Sequence, residues 1–211
     1  MKILYPPRPK GRVESARLVQ YEKKGTHVVQ RKFNGTHVLV NISVDREVGI
    51  LNRHGEAPRQ FSLSQEHINE FLSLNLEEGK EYWLQGELLN NKTKTPEYKN
   101  RIVLFDVLQA GRYLFGRPQQ MDRLAILDQI CKHPTELEPN QGIALKVTEN
   151  IWMAQTWDKD FQKHYEEFLD LDEIEGVVLR EKKNVIDNYG QKEYDVRWML
   201  RVRKPHKNYR F

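Results

Sequence analysis

The sequence lacks several features that define particular classes of protein. One of its 211 residues is cysteine, so the chain cannot form an internal disulfide or a cysteine-rich zinc site. No apolar run approaches the length that crosses a membrane. The first residues also lack the apolar segment of a signal peptide, because Ile3–Tyr5 lead directly into two prolines. We therefore expect a soluble intracellular protein with no membrane partner.

A strongly biased charge is also lacking. The chain has 34 Lys and Arg and 30 Asp and Glu, so its net charge is only +4 and the whole surface is not polycationic. The distribution is uneven, because Val196–Phe211 contains six Lys or Arg and no acidic residue. A local basic stripe of this kind favours a partner that carries phosphate groups.

Apolar residues make up 38% of the chain, which is enough for the core of one sizeable domain. Strands are predicted within 26–51 and at Tyr82–Leu89, Arg101–Leu108, Gly142–Thr148, Ile174–Arg180 and Tyr194–Arg203. Helices are predicted from Ser62, where Gln65 completes a capping box, to Gly79, and at Pro118–Cys131 and Asp158–Leu169. Strands outnumber helices, which indicates an α+β fold with a mainly antiparallel sheet. Cys131 lies on an apolar helix face and is expected to be a buried structural thiol.

Two regions are distinguished along the chain. Residues 1–25 are proline-rich and then basic, and we expect them to pack as an arm on a single domain of residues 26–211. Near the start of that domain, Lys32 closes a predicted strand and is followed by Asn34-Gly35, a pair that tolerates the left-handed backbone of a tight hairpin. Val38, Val40, Ile42 and Val44 are predicted to share one face of the next strand. Taken alone, this pattern is typical of a solvated lysine beside a turn.

Six short motifs, in a fixed order, resemble those of the covalent nucleotidyltransferases, which include ATP-dependent DNA ligases, RNA ligases and mRNA capping enzymes. They are the lysine motif Lys32–Gly35, the arginine motif Leu51–Glu56, the glutamate strand Leu84–Leu88, the Phe-Asp strand Val103–Leu108, the EGxV motif Glu175–Arg180 and the final basic strand Trp198–Lys204. From Lys32 to Lys204, they span most of the chain. The resemblance implies an antiparallel-sheet adenylation domain of ATP-grasp-like architecture. Because the sequence ends soon after the last motif, no OB-fold is expected.

The resemblance also implies a chemistry. Lys32 would attack the α-phosphate of ATP and become lysyl-AMP, with Arg201 and Arg203 as further catalytic residues. Glu175 and Glu87 would hold Mg²⁺ or Mn²⁺. The nucleotide-binding residues that it implies are Gln30, Arg31, Gly35, Arg53, Glu87, Phe105 and Lys204. An unperturbed lysine is neutral in only about one molecule in a few thousand at pH 7, so such a site must favour the neutral amine through burial or neighbouring cations.

Four positions depart from the usual family pattern. Asn34 stands where DNA ligases have aspartate, and His37 stands where many relatives have arginine. Arg201 and Arg203 replace two lysines of the final motif. Arginine keeps the charge and binds phosphate with a forked geometry, but it cannot donate a proton as a lysine can. These departures suggest slower or differently tuned nucleotide transfer.

The leading hypothesis is a monomeric ATP-dependent polynucleotide ligase that joins a 5′-phosphate to a 3′-hydroxyl. It would act in the cytoplasm, or in the host cytoplasm if the chain is viral. The sequence leaves open whether the strand is RNA or DNA. One alternative is a capping-type or end-activating nucleotidyltransferase. Another is a non-catalytic nucleic-acid-binding relative, with the basic stripe Arg197–Arg210 on the backbone and with Tyr189, Tyr194 and Trp198 stacked on bases.

Overall fold

The computed structural model describes residues 3–90, 93–132, 135–136, 143–167, 169–187 and 194–205. The strands in these ranges are β1 Pro7–Arg12, β2 His27–Phe33, β3 Thr36–Ile42, β4 Val48–Asn52, β5 Tyr82–Leu89, β6 Arg101–Ala110, β7 Arg112–Tyr113, β8 Thr135–Glu136, β9 Leu145–Lys146, β10 Ile151–Met153, β11 Thr156–Trp157, β12 Ile174–Glu181 and β13 Tyr194–Arg203. The α-helices are α1 Leu18–Lys24, α2 Gln65–Ser73, α3 Gln120–Cys131 and α4 Phe161–Glu166. Short 3₁₀ turns lie at Ser15–Arg17 and Pro96–Tyr98.

The strands form two sheets. The smaller has the order β1-β13-β12-β2-β11, and the larger has the order β4-β3-β5-β6-β10-β9-β8 with β7 beside β6. In the described part of the chain, the parallel pairings are β1 with β13 and β10 with β6, and the others are antiparallel. The predicted α+β fold with mainly antiparallel sheets is thus confirmed.

Helices cover one face of each sheet. Leu18 of α1 and Phe161 of α4 are fully buried against Val29 and Val177 of the smaller sheet. On the larger sheet, α2 and α3 bury Phe71, Leu127 and Ile130 against apolar residues of β3, β5 and β6. An apolar sheet face needs such a cover. The opposite faces of the two sheets are left to face one another, and a cleft lies between them.

The link after Lys32 differs from the predicted hairpin. β2 pairs with β12 and β11, whereas β3 pairs with β4 and β5, so the chain crosses here from one sheet to the other. Neither Asn34 nor Gly35 adopts the left-handed conformation that the hairpin requires. The amide N–H of Asn34 donates to the carbonyl of Glu173 at 2.7 Å. A Cβ on Gly35 would lie 2.2 Å from the carbonyl oxygen of Leu88, so this close approach requires glycine.

Several predicted elements are shorter than expected. The helix predicted from Ser62 is α2, which is capped by Ser64 because the Ser64 hydroxyl accepts from the amide of His67. α3 and α4 begin two and three residues later than predicted. β3 ends at Ile42, so Val44 lies beyond the strand and is 53% exposed. The predicted strand at 142–148 is reduced to β9, and its first residue lies outside the described residues.

Other expectations concern the N-terminal region and Cys131. Residues 7–24 contribute β1, which pairs with β13, and α1, which packs on the smaller sheet. Cys131 is buried as expected, and burial raises the pKa of its thiol to about 12, so the thiol is unreactive near neutral pH. None of the helices in the described ranges is long and apolar enough to cross a membrane.

The pairing of β12 with β13 depends on Gly176. Its φ is +136°, and a Cβ there would lie 2.0 Å from the carbonyl oxygen of Val202. We expect Gly176→Ala to lower the free energy of unfolding by about 2 kcal/mol or more, because both the backbone and the strand spacing must change. Urea unfolding measures this change. Gly49→Ala is the control, since a Cβ at Gly49 meets no atom within 4 Å. Equal effects of the two substitutions would contradict the expectation.

Candidate active site

A cleft of about 740 Å³ lies between the two sheets. Ten of the eleven site residues proposed from the sequence border it, namely Gln30, Arg31, Lys32, Gly35, Arg53, Glu87, Phe105, Glu175, Arg201 and Arg203. Strand pairing explains how residues so distant in sequence meet. Lys32 pairs with Gly176, which pairs with Arg203, and in the next row Gln30 pairs with Val178, which pairs with Arg201. Paired residues in neighbouring strands project from the same face of a sheet.

An ion pair joins the proposed nucleophile to a carboxylate. Lys32 Nζ lies 2.7 Å from Glu175 Oε2, and the two side chains are 21% and 24% exposed. Arg203 Nε lies 3.4 Å from the same oxygen. The Glu175 carboxylate therefore lies between two cations, and it fixes the lysine amine inside the cleft while leaving it accessible to a ligand.

A second carboxylate holds the crossing between the sheets. Glu87 Oε1 accepts a hydrogen bond from the backbone N–H of Gly35 at 3.0 Å, so Glu87 anchors the link that follows Lys32. Glu87 and Glu175 both border the cleft. No group of three or more metal-ligating side chains occurs within the described ranges. One or two carboxylates fit Mg²⁺, which completes its coordination with substrate phosphate oxygens and water.

Gln30 and Phe105 form a different part of the cleft. Gln30 Nε2 donates to Thr156 Oγ1 at 2.9 Å and lies 3.5 Å from the carbonyl oxygen of Phe105. Gln30 Oε1 is buried and has no hydrogen-bond partner among the residues that the structure describes. A buried acceptor without a donor is costly, so this oxygen suits a ligand that brings an N–H.

A buried ionic network contacts the ring of Phe105 through Arg180. The guanidinium of Arg180 lies 5.3 Å from the centre of the Phe105 ring and donates to Asp106 Oδ2 at 3.0 Å. Arg123 Nε donates to Asp106 Oδ1 at 3.1 Å, and Gln120 lies beside both. Burial raises the pKa of Asp106, but the two guanidiniums outweigh burial and lower it overall. Sequence analysis missed this network, although a charged residue within an apolar strand was a signal for it.

His37 is also part of the cleft, and it stays neutral. Gln85 Nε2 lies 2.9 Å from His37 Nε2. Burial lowers the pKa of His37 to about 4, with further contributions from Arg53, Lys32 and Arg180. Where many relatives were expected to have an arginine, this chain therefore has an uncharged ring near neutral pH.

Two proposed contacts do not fit the structure. Strand alternation turns the Arg31 guanidinium to the face opposite Lys32, where it pairs with Glu167 at 3.4 Å and lies 4.8 Å from the centre of the Trp157 ring. Lys204 follows β13 and does not border the cleft, since its amine donates to the carbonyls of Leu169 and Leu171. We therefore withdraw both side chains as nucleotide contacts.

The aromatic residues of the alternative nucleic-acid surface are only partly described. Trp198 is half-buried against a cluster that includes Leu4, and Arg123 lies 5.9 Å from the centre of its ring. Burial raises the pKa of Tyr194 to about 12. Trp198 is therefore not an open stacking platform. Tyr189 and residues 206–210 of the basic stripe lie outside the described residues.

Sequence analysis also missed other residues that border the cleft, among them Arg8, Asn52, Arg59, Gln85, Asn90, Arg180 and Met199. Arg180 lies two positions after Val178, and Met199 lies two positions before Arg201. Because side chains at every second position of a strand share a face, strand alternation could have predicted both residues. Arg8 and Arg59 carried no such local signal.

Comparison with solved structures identifies the class of fold. The mycobacterial DNA ligase D complexed with ATP and MES aligns with a TM-score of 0.62 and 14% identity over 95% of this chain and 60% of that one. The ligase domain of LigD from M. tuberculosis aligns with a TM-score of 0.58 and 13% identity over 93% and 58%. A structure named Pmar-Lig_PreS3 aligns with a TM-score of 0.57 and 17% identity over 95% and 47%. The chain has the fold of a ligase nucleotidyltransferase domain and spans about half of these structures.

A family model described as RNA ligase matches residues 25–198, and the chain belongs to the RNA ligase family. This match confirms the superfamily that the six motifs indicated. A comparison with curated proteins gave no match.

The low pKa of His37 predicts a pH-dependent stability. In the folded state His37 binds a proton only near pH 4, whereas in the unfolded state it does so near pH 6.5, so the unfolded state binds more protons between these values. Between pH 7.5 and pH 5, wild type should lose about 2 kcal/mol of unfolding free energy relative to His37→Asn.

Urea unfolding at several pH values measures this difference. His54→Asn, which changes an exposed histidine at the cleft rim, is the control and should follow wild type. A constant difference between wild type and His37→Asn over this range would show that His37 is not held neutral by the fold.

Proposed function

We propose that this protein is an ATP-dependent polynucleotide ligase that adenylylates itself on Lys32 and joins a 5′-phosphate to a 3′-hydroxyl. The observation that carries the proposal is the placement of the Lys32 amine 2.7 Å from Glu175, inside a cleft with Arg201 and Arg203 on the same sheet face. A lysine nucleophile, a carboxylate and flanking cations are the groups that nucleotide transfer requires. Membership of the RNA ligase family supports this assignment.

In the first step, the neutral amine of Lys32 attacks the α-phosphorus of ATP. The N–P bond forms, the bond from the α-phosphorus to the bridging oxygen breaks, pyrophosphate leaves, and the amine releases a proton. Arg201 and Arg203 would bind phosphate oxygens, because a guanidinium donates two parallel hydrogen bonds and stays charged. Arg203 would then exchange part of its contact with Glu175 for a contact with the nucleotide.

The carboxylates suit a divalent metal. Glu175 would hold Mg²⁺ or Mn²⁺ beside the phosphates, with Glu87 nearby as a second candidate ligand. When bound, the metal neutralises phosphate charge and orients the leaving group. Glu87 also keeps the crossing link in place through Gly35, so it has a structural contact as well as a proposed ligand contact.

The pocket around Gln30 supports adenine as the base. The side-chain amide of Gln30 donates to Thr156, which leaves the side-chain carbonyl oxygen of Gln30 as an acceptor for a ligand. The 6-amino group of adenine can donate to this oxygen, whereas the carbonyl at position 6 of guanine cannot. Phe105 would stack on the base, with Arg180 behind it. With its N–H groups directed to Thr156 and Phe105, Gln30 would act as an acceptor, which favours adenine over guanine for a base whose position 6 faces it.

Two transfers would complete the reaction. A 5′-phosphate oxygen attacks the phosphorus of lysyl-AMP, which breaks the N–P bond and forms a 5′–5′ pyrophosphate linkage. The 3′-hydroxyl then attacks the 5′-phosphorus, so that a phosphodiester forms and AMP leaves. The description of the family as RNA ligase supports RNA as one of the joined strands, and the same transfers would apply to DNA.

Substitution of the nucleophile tests the first step. Lys32→Arg keeps the positive charge and can keep an ion pair with Glu175, but a guanidinium is not a nucleophile near neutral pH. We expect wild type to form a covalent adduct with α-labelled ATP in Mg²⁺ or Mn²⁺ and Lys32→Arg to form none. Lys23→Arg, at an exposed position on α1, is the control and should label like wild type.

Denaturing electrophoresis and mass mapping of the labelled peptide give the result. A label on another residue, or an adduct that persists in Lys32→Arg, would disprove the assignment of the nucleophile. A wild-type adduct with GTP and none with ATP would disprove the ligase assignment.

Base selection is tested at Gln30. We expect wild type to react with ATP in preference to GTP, and Gln30→Leu to lower kcat/KM for ATP adenylylation about tenfold, because it removes one acceptor for the base. The preference for ATP over GTP should shrink in the variant. Asn90→Ala, which borders the cleft away from Gln30, is the comparison variant. An unchanged ATP-to-GTP ratio in Gln30→Leu would contradict the proposed contact.

A further inference from the structure

The edge strand of the smaller sheet carries a row of cations. β1 is paired on one side only in the described structure, with β13. Its sequence alternates, so that Arg8, Lys10 and Arg12 are exposed while the residues between them are more buried. Alternate side chains of a strand lie about 6.6 Å apart. Arg8, Lys10 and Arg12 form a row of exposed cations along β1, whose register with β13 shifts between Pro9 and Gly11.

Both ends of this row of cations lie beside residues that border the cleft. Arg8 pairs with Asp195 in strand register, and Arg12 pairs with Arg201. Arg201 in turn pairs with Val178, which pairs with Gln30, so one row of the sheet runs from the proposed base pocket to Arg12. Arg8 itself borders the cleft.

The row has a surplus of positive charge. Without Arg31, whose guanidinium faces away, the cleft is bordered by seven Lys or Arg and three Glu. Arg201 Nε is buried without a hydrogen-bond partner in the described part of the chain. Burial lowers the pKa of Arg201, and Arg203, Arg12 and Arg8 lower it further. Like charges that crowd together in this way are an attractive site for an anion.

The rest of β1 favours an extended anion over a strand partner. Pro7 and Pro9 have no N–H, so the free edge of β1 cannot add another β-strand in regular register. The contact of Arg8 with Asp195 at 2.7 Å joins side chains that are 51% and 41% exposed, and ion pairs this exposed contribute little. A phosphate can therefore compete for Arg8.

We propose that β1 binds consecutive backbone phosphates of a polynucleotide through Arg8, Lys10 and Arg12, and that Arg201 continues this path towards Lys32. The identity of the ligand as the strand to be joined rests on the proposed ligase function. The outer phosphates of ATP have the same chemistry and are the other source of an anion here. β1 lies farther from Lys32 than Arg201 and Arg203 do in the sheet order, which favours the longer ligand.

The test compares two triple variants of equal charge. Arg8→Gln/Lys10→Gln/Arg12→Gln removes the three exposed cations of β1. Arg17→Gln/Lys23→Gln/Lys24→Gln is the control, because it removes three exposed cations at and beside α1, on the helix-covered side of the sheet. Thermal unfolding confirms that both variants fold. Fluorescence anisotropy without ATP then measures binding of a 5′-phosphorylated nicked duplex and of a 5′-phosphorylated single strand across a range of salt concentrations.

We expect the β1 variant to bind at least tenfold more weakly at low salt and to reduce the slope of log affinity against log salt by about 2 to 3, one for each lost phosphate contact. The control should keep the wild-type slope. The KM for ATP in self-adenylylation should be unchanged in both variants.

Other results would overturn the proposal. If the two variants bind nucleic acid equally well, or if wild type does not bind it, β1 is not a backbone site. If the β1 variant raises the KM for ATP while nucleic-acid binding is unchanged, the anion is the triphosphate. If wild type forms no adduct with ATP, the proposed ligase function fails, while the salt slopes still decide whether β1 binds a backbone.

Discussion

The crossing of the chain between its two sheets, at Asn34 and Gly35, is the constraint on which the site depends. Lys32 belongs to one sheet and His37 to the other, so the four intervening residues limit the distance between the sheets at this point. The approach is close enough that only glycine fits against the Leu88 carbonyl. A hairpin would have kept Lys32 and His37 in the same sheet. The crossing places it where two surfaces meet, and therefore inside a cleft.

The cleft stays stable with excess positive charge because different carboxylates offset different cations. Asp106 forms ion pairs with both Arg180 and Arg123 beside the proposed base pocket, where burial makes an unpaired charge costly. Glu175 partly offsets Lys32 and Arg203 at the open side. The Asp106 ion pairs are buried, so they hold the side chains around Phe105 in place. The Glu175 ion pairs are accessible, so a phosphate or a metal ion can replace one of their contacts.

The sequence contained most of the site, because the six motifs are local and alternation along a strand is regular. The same regularity argued against Arg31, which is adjacent to Lys32 and must face the other side of β2. The crossing was not predictable from Asn34-Gly35, since the choice between a hairpin and a link depends on which strands β2 and β3 pair with. The cations of β1 were missed for the same reason. Their position beside Arg201 and the cleft follows from pairing with a strand nearly two hundred residues away.

The departures from the family pattern have a common electrostatic consequence. An arginine stays charged throughout the physiological pH range, whereas a lysine in the same place can titrate, and this chain has Arg201 and Arg203 where lysines were expected. Burial lowers the pKa of His37 to about 4, so its ring is neutral near pH 7. Lys32, outside these three positions, is the group that must lose a proton for the proposed reaction. A neutral His37 also removes a positive charge that an arginine would have placed beside the crossing. The two arginines on β13 thus supply charge at the phosphates, where the proposed transition state needs it, while the opposite wall of the cleft stays less basic.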